Sequence, residues 1–91
     1  MKEAWIGPGA EALAREFKTP LYVYSRERLE GAYAAYAAAF APVPHRICYA
    51  LKANSSLALL KVFVSLGSGA DIVSGGELRQ ALRAGFKPGD I

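Results

Sequence analysis

At 91 residues and a net charge of +3, the chain has the length of one small domain or of part of a larger one. Hydrophobic residues make up 53% and charged residues 21%, a globular composition whose apolar surplus points to surface meant for partners. The eleven Lys and Arg are scattered, which argues against a nucleic-acid-binding face, and no apolar run is long enough to span a membrane.

The N-terminal stretch MKEAWIGPGAEAL lacks the continuous apolar segment of a signal peptide. Glu11 to Phe17 then predicts a short helix, started after Pro8-Gly9 and ended before Thr19-Pro20. Leu21-Tyr22-Val23-Tyr24 is β-branched and aromatic and predicts a strand. Pro20 places that strand at a sheet edge or marks its entry, because proline cannot donate to a ladder. Ser25 is placed to cap a long helix, whose apolar face carries Leu29, Tyr33, Tyr36 and Phe40. Pro42 and Pro44 stop it.

Arg46 to Leu51 is a short apolar run that predicts a buried strand. Within it, Cys48 is expected as a small core residue. As the single cysteine it can form no internal disulfide, and a reducing, cytoplasmic setting is expected. His45 lies alone before the strand, with no second ligand to suggest a metal site, and is expected in a solvated loop. Ser55 and Ser56 are expected to cap the next helix, Ser56 to Leu66. That helix is apolar on nearly every side and so needs cover on more than one face, and Gly67 ends it.

Ala70 to Val73 predicts a second short strand. Ser74 to Ala84 predicts a helix with Gly85 at its end, and Ser74 with Glu77 has the spacing of a capping box. Ile91 is expected to open a third strand. The second half thus has a β-α-β-α rhythm, which belongs to parallel α/β architecture. Two strands cannot close a barrel, which needs roughly 250 residues, so the chain is expected to be truncated.

Lys52 follows the first of these strands, at the end that faces the active site in parallel βα folds. A lysine there can act as an amine nucleophile if partly desolvated. The position alone fits a solvated strand-end lysine better. Asp71 lies between Ala70 and Ile72, and an acid among apolar neighbours needs a partner. Lys52 could pair with it, or the two could share a ligand. Gly67-Ser68-Gly69 precedes a strand and does not complete the dinucleotide-binding fingerprint. Gly75-Gly76 at a helix start could admit a ligand closely or be only a helix entrance.

Three segments taken together carry a resemblance. They are TPLYVY (Thr19 to Tyr24), YALKAN (Tyr49 to Asn54) and GSGADIVSGGE (Gly67 to Glu77). In this order and spacing they resemble the fold-type III pyridoxal-phosphate (PLP) enzymes, and among these the diaminopimelate decarboxylase family. The resemblance implies the first βα units of a PLP-binding (β/α)8 barrel over residues 26–91, with residues 1–25 giving a helix and strand to a second, β-rich domain. It implies that Lys52 carries PLP covalently, with Asp71, Ala50 and Glu77 in the cofactor pocket. The implied reaction converts meso-2,6-diaminopimelate to L-lysine and CO2, in a cytoplasmic homodimer whose partner molecule is an amino-acid substrate. The remaining cofactor and substrate residues of the family fall later in the chain, so this piece alone is expected to be inactive. Lys18 departs from the family, which commonly has glycine before Thr-Pro, and is expected to be a tolerable surface change. The alternatives are another PLP protein of the same fold type (an ornithine or arginine decarboxylase, an amino-acid racemase, a PLP carrier) or a non-enzymatic α/β association module.

Overall fold

The computed structural model describes residues 9–91; the reading of the N-terminus as free of a signal peptide falls largely outside them. The elements in order are α1 (Gly9–Phe17), α2 (Arg26–Phe40), β1 (Cys48–Ala50), a 3₁₀ turn (Leu51–Ala53), α3 (Leu57–Ser65), β2 (Gly69–Asp71), α4 (Gly75–Ala84) and a second 3₁₀ turn (Pro88–Asp90). β1 and β2 run parallel, with Cys48 opposite Gly69, Tyr49 opposite Ala70 and Ala50 opposite Asp71.

Local chemistry sets the helix ends. The Ser25 hydroxyl accepts the Arg28 N–H at 3.2 Å and starts α2. α3 and α4 finish alike, each on a glycine in the left-handed region: Gly67 at φ 82° and Gly85 at φ 107°. After α3 the Ser68 N–H reaches the Phe63 carbonyl at 3.1 Å, and after α4 the Phe86 N–H reaches that of Ala81 at 3.1 Å. Both turns return the chain to the core. Phe86 and Ala81 are buried there, and the Ser68 hydroxyl donates to the Gly69 carbonyl at 2.7 Å.

The core is Leu51, Leu59, Leu60, Phe63, Ala70, Ala81, Ala84 and Phe86. Leu29 and Tyr33 of α2 pack against it, together with Tyr49 and Ile72. Side chains alternate across a strand, so Tyr49 and Ala70 lie on one face of the sheet, where the Tyr49 ring stacks on Phe63 of α3 with centroids 4.1 Å apart. Cys48, Ala50, Gly69 and Asp71 share the other face. Arg46, before β1, pairs with Asp90 and donates to the Gly89 carbonyl at 3.2 Å, which ties the last turn to the sheet.

Several expectations are corrected. Residues 21–24 form no strand, because the described residues offer them no ladder partner; Tyr22 is 89% exposed. Cys48 is exposed rather than in the core, because among the described residues no helix covers its face of the sheet. The apolar face of α2 is only half used, since Tyr36 and Phe40 remain exposed. Ser56 stands at the N-cap of α3 without a side-chain bond; instead its N–H is taken by Asn54 Oδ1 at 2.9 Å. Ile91 is in no strand among the described residues.

Candidate functional site

The C-terminal ends of β1 and β2 bring the candidate residues to one end of the sheet. β1 stops at Ala50, and the chain turns at once into the 3₁₀ turn Leu51–Ala53. Leu51, 1% exposed, plugs that turn into the core, while the adjoining Lys52 is exposed. Among the described residues, nothing hydrogen-bonds or ion-pairs with the Lys52 amine or the Asp71 carboxylate. Asp71 is itself exposed, so the partner expected for a buried acid is not required, and no direct Lys52–Asp71 pair forms.

Ala50 and Asp71 are opposite each other in register, and Lys52 follows just beyond Ala50. The loop after Asp71 leads to the first turn of α4. There the Ser74 hydroxyl accepts the Glu77 N–H at 3.1 Å, and Glu77 Oε1 accepts the Val73 N–H at 3.0 Å. The predicted capping box is therefore present in a shifted form, with the return bond on Val73 rather than Ser74. Of the four predicted site residues, Ala50, Lys52 and Asp71 share one end of the sheet, whereas the Glu77 carboxylate is committed to a helix entrance.

The backbone that follows Lys52 is held by side chains from two other elements. Tyr49 Oη donates to the Asn54 carbonyl at 2.8 Å, and Gln80 Nε2 of α4 donates to the Ser55 carbonyl at 2.8 Å. Burial pushes the Tyr49 hydroxyl above its ordinary pKa of 10.0, and nearby Tyr24 adds to the rise. Tyr49 and Gln80 were not among the residues predicted from sequence. Tyr49 stands inside the YALKAN segment, which offered a signal; Gln80 is distant in sequence and offered none.

Two clefts flank this end. One of about 420 Å3 is lined by Tyr22, Tyr24, Arg26, Asn54, Ser56 and neighbours. An apolar one of about 350 Å3 lies between α2 and β1 and includes Tyr33, Tyr36, Tyr49, Ala50 and Ala53. Neither is lined by Lys52 or Asp71, which are both exposed. His45 is exposed, its Nδ1 lying 2.9 Å from the Val43 carbonyl oxygen. Among the described residues no group of three or more His, Cys, Asp or Glu could hold a metal ion, and no helix is long and apolar enough to cross a membrane.

Residues 26–91 match the family described as "Pyridoxal-dependent decarboxylase, pyridoxal binding domain". The chain is 49% identical over 85 residues to a diaminopimelate decarboxylase of Pseudomonas aeruginosa, covering 93% of this chain and 20% of that protein. It is 56% identical over 73 residues to the diaminopimelate decarboxylase of Neisseria meningitidis serogroup A, covering 80% and 18%. The crystal structure of the Helicobacter pylori diaminopimelate decarboxylase, complexed with L-lysine, superposes with a TM-score of 0.82 at 46% identity, over 90% of this chain and 21% of that one. The chain thus spans about a fifth of the length of the relatives it matches, and its two βα units correspond to the start of their α/β barrel.

Proposed function

The chain belongs to the pyridoxal-dependent decarboxylases, and from that premise we propose that it is the lysine-bearing first part of a PLP enzyme that decarboxylates meso-2,6-diaminopimelate to L-lysine and CO2. One observation carries the substrate choice: relatives named diaminopimelate decarboxylase are 49% and 56% identical over most of this chain.

The residues present fit the cofactor. PLP needs a primary amine with no competing partner, and Lys52 is exposed and unpaired among the described residues. A flat ring needs a small neighbour, and Ala50 is one. On the face it shares with Asp71, Cys48 and Asp71 are exposed. At the start of α4, a side chain built on Gly75 would meet nothing within 4 Å, so a ligand can approach that backbone closely.

Bound PLP supplies the electron sink that takes up the pair left by the departing carboxylate. Lys52 would hold the cofactor through Nζ, and its exposed amine could move a proton when not so engaged. Asp71 places a carboxylate beside Ala50 and helps orient the cofactor electrostatically. Glu77 contributes mainly by fixing the entrance of α4 through Val73. The single unpaired cysteine fits a reducing cytoplasm, and the open sheet face and half-used α2 suit burial within a larger, homodimeric protein.

The test is turnover by the full-length enzyme with added PLP. Release of CO2 from meso-diaminopimelate with formation of L-lysine is expected. Robust turnover of ornithine or arginine with none of diaminopimelate would overturn the substrate assignment and leave family membership intact.

A further inference from the structure

We propose that Tyr49 and Gln80 are positioning residues for Lys52, acting as a two-point clamp on the backbone that follows it; the proposal rests on Lys52 being the cofactor lysine.

Lys52 sits on a single 3₁₀ turn, Leu51–Ala53. Such a turn has weak internal hydrogen bonding, and the carbonyls beyond it need outside donors. Two consecutive carbonyls receive them from different elements. Tyr49 of β1 donates to Asn54 at 2.8 Å, and Gln80 of α4 donates to Ser55 at 2.8 Å. On the other side of Lys52, the buried Leu51 pins the turn to the core. The lysine Cα is thereby fixed from both directions.

Each clamp member is itself fixed. The Tyr49 ring is stacked on Phe63 with an interplanar angle of 12°. Gln80 belongs to α4, whose first turn is closed by the Ser74 and Glu77 bonds. The clamp thus couples the helix that follows Asp71 to the turn that carries Lys52. A lysine side chain is long and flexible, so the aim of its amine depends on a fixed Cα. A displacement on the order of 1 Å at a reacting group can cost about a hundredfold in rate. The Gln80 bond is solvent-exposed and is worth little to global stability, which separates positioning from folding.

The experiment uses the full-length enzyme, stripped of PLP, as wild type, Tyr49→Phe and Gln80→Leu. After PLP is added, samples are reduced with borohydride over time and the label on the Lys52 peptide is quantified. Amide exchange over residues 52–56 is measured in the PLP-free proteins. Each variant is expected to slow labelling of Lys52 by about tenfold, well within the cost of a small misplacement, and to speed exchange over 52–56. The melting temperature should stay within a few degrees of wild type, and with substrate kcat should fall while KM changes less than about twofold. Unchanged labelling and exchange in both variants would overturn the clamp. If Tyr49→Phe fails to fold, Gln80→Leu alone decides. A label on a different lysine in the wild type would instead overturn the cofactor-lysine assignment, and the clamp's purpose with it.

Discussion

Leu51 and Lys52 are neighbours with opposite surroundings, one 1% exposed and the other open to solvent, and this contrast is what presents the amine. Lys18 shows the converse, a residue set against its backbone. Its φ is 70°, in the left-handed region that L side chains enter at a cost of roughly 1–2 kcal/mol. A glycine at this exposed position would adopt the same φ without that cost. Lys18→Gly is expected to stabilise the full-length protein by up to about 1 kcal/mol, because glycine's greater freedom when unfolded offsets part of the relief; denaturant midpoints check this. Tyr49 gives a pH signature. Burial favours its neutral form and raises its pKa in the fold. Its contribution is therefore whole below the ordinary value of 10.0 and is lost as pH rises through the higher folded value. Wild type should lose more stability than Tyr49→Phe between neutral and strongly alkaline pH, and equal losses would contradict the assignment. The strand-end positions of Lys52 and Asp71 were legible in sequence because each follows or closes a short apolar run. Gln80 was not, because its role depends on a contact 25 positions away.

Among the elements, β2 shows how tightly the two strands meet. A Cβ on Gly69 would lie 2.7 Å from Cys48 Sγ, 3.0 Å from Arg46 Nε and 3.1 Å from the Asp90 carbonyl oxygen. The side chains can shift, but the Asp90 backbone has less room. Gly69→Ala is expected to destabilise the protein by about 1–3 kcal/mol, and Cys48→Ala in the same chain should recover only part of that, as thermal melts would show. Helix positions were legible because their signals are local: Ser25 and Ser74 cap, and Gly67 and Gly85 stop. The segment Leu21 to Tyr24 has strand composition, yet a strand is a property of two segments, and composition does not reveal whether the second is at hand. Burial of β1 failed to follow from its apolar run for the same reason, since Cys48 needs cover that its own residues do not provide.

At the scale of the molecule, the two parallel strands have Tyr49 and Ala70 on the helix-covered face and Cys48, Ala50, Gly69 and Asp71 on the other. In a closed barrel of parallel strands the helix-free face is the interior and the C-terminal strand ends carry the chemistry. The β-α-β-α rhythm made a parallel α/β arrangement legible from spacing alone, whereas the barrel and the proposed substrate depended on likeness to whole enzymes of which this chain spans about a fifth. Large exposed apolar groups such as Val73, 72% exposed, fit a surface meant for partners. The central claim is that Lys52 is the point at which PLP is attached. Its most direct test is borohydride reduction of the full-length enzyme with PLP, followed by peptide mapping by mass spectrometry: the account predicts a reduced pyridoxyl label on Lys52, and a label on any other lysine, with Lys52 unmodified, would contradict it.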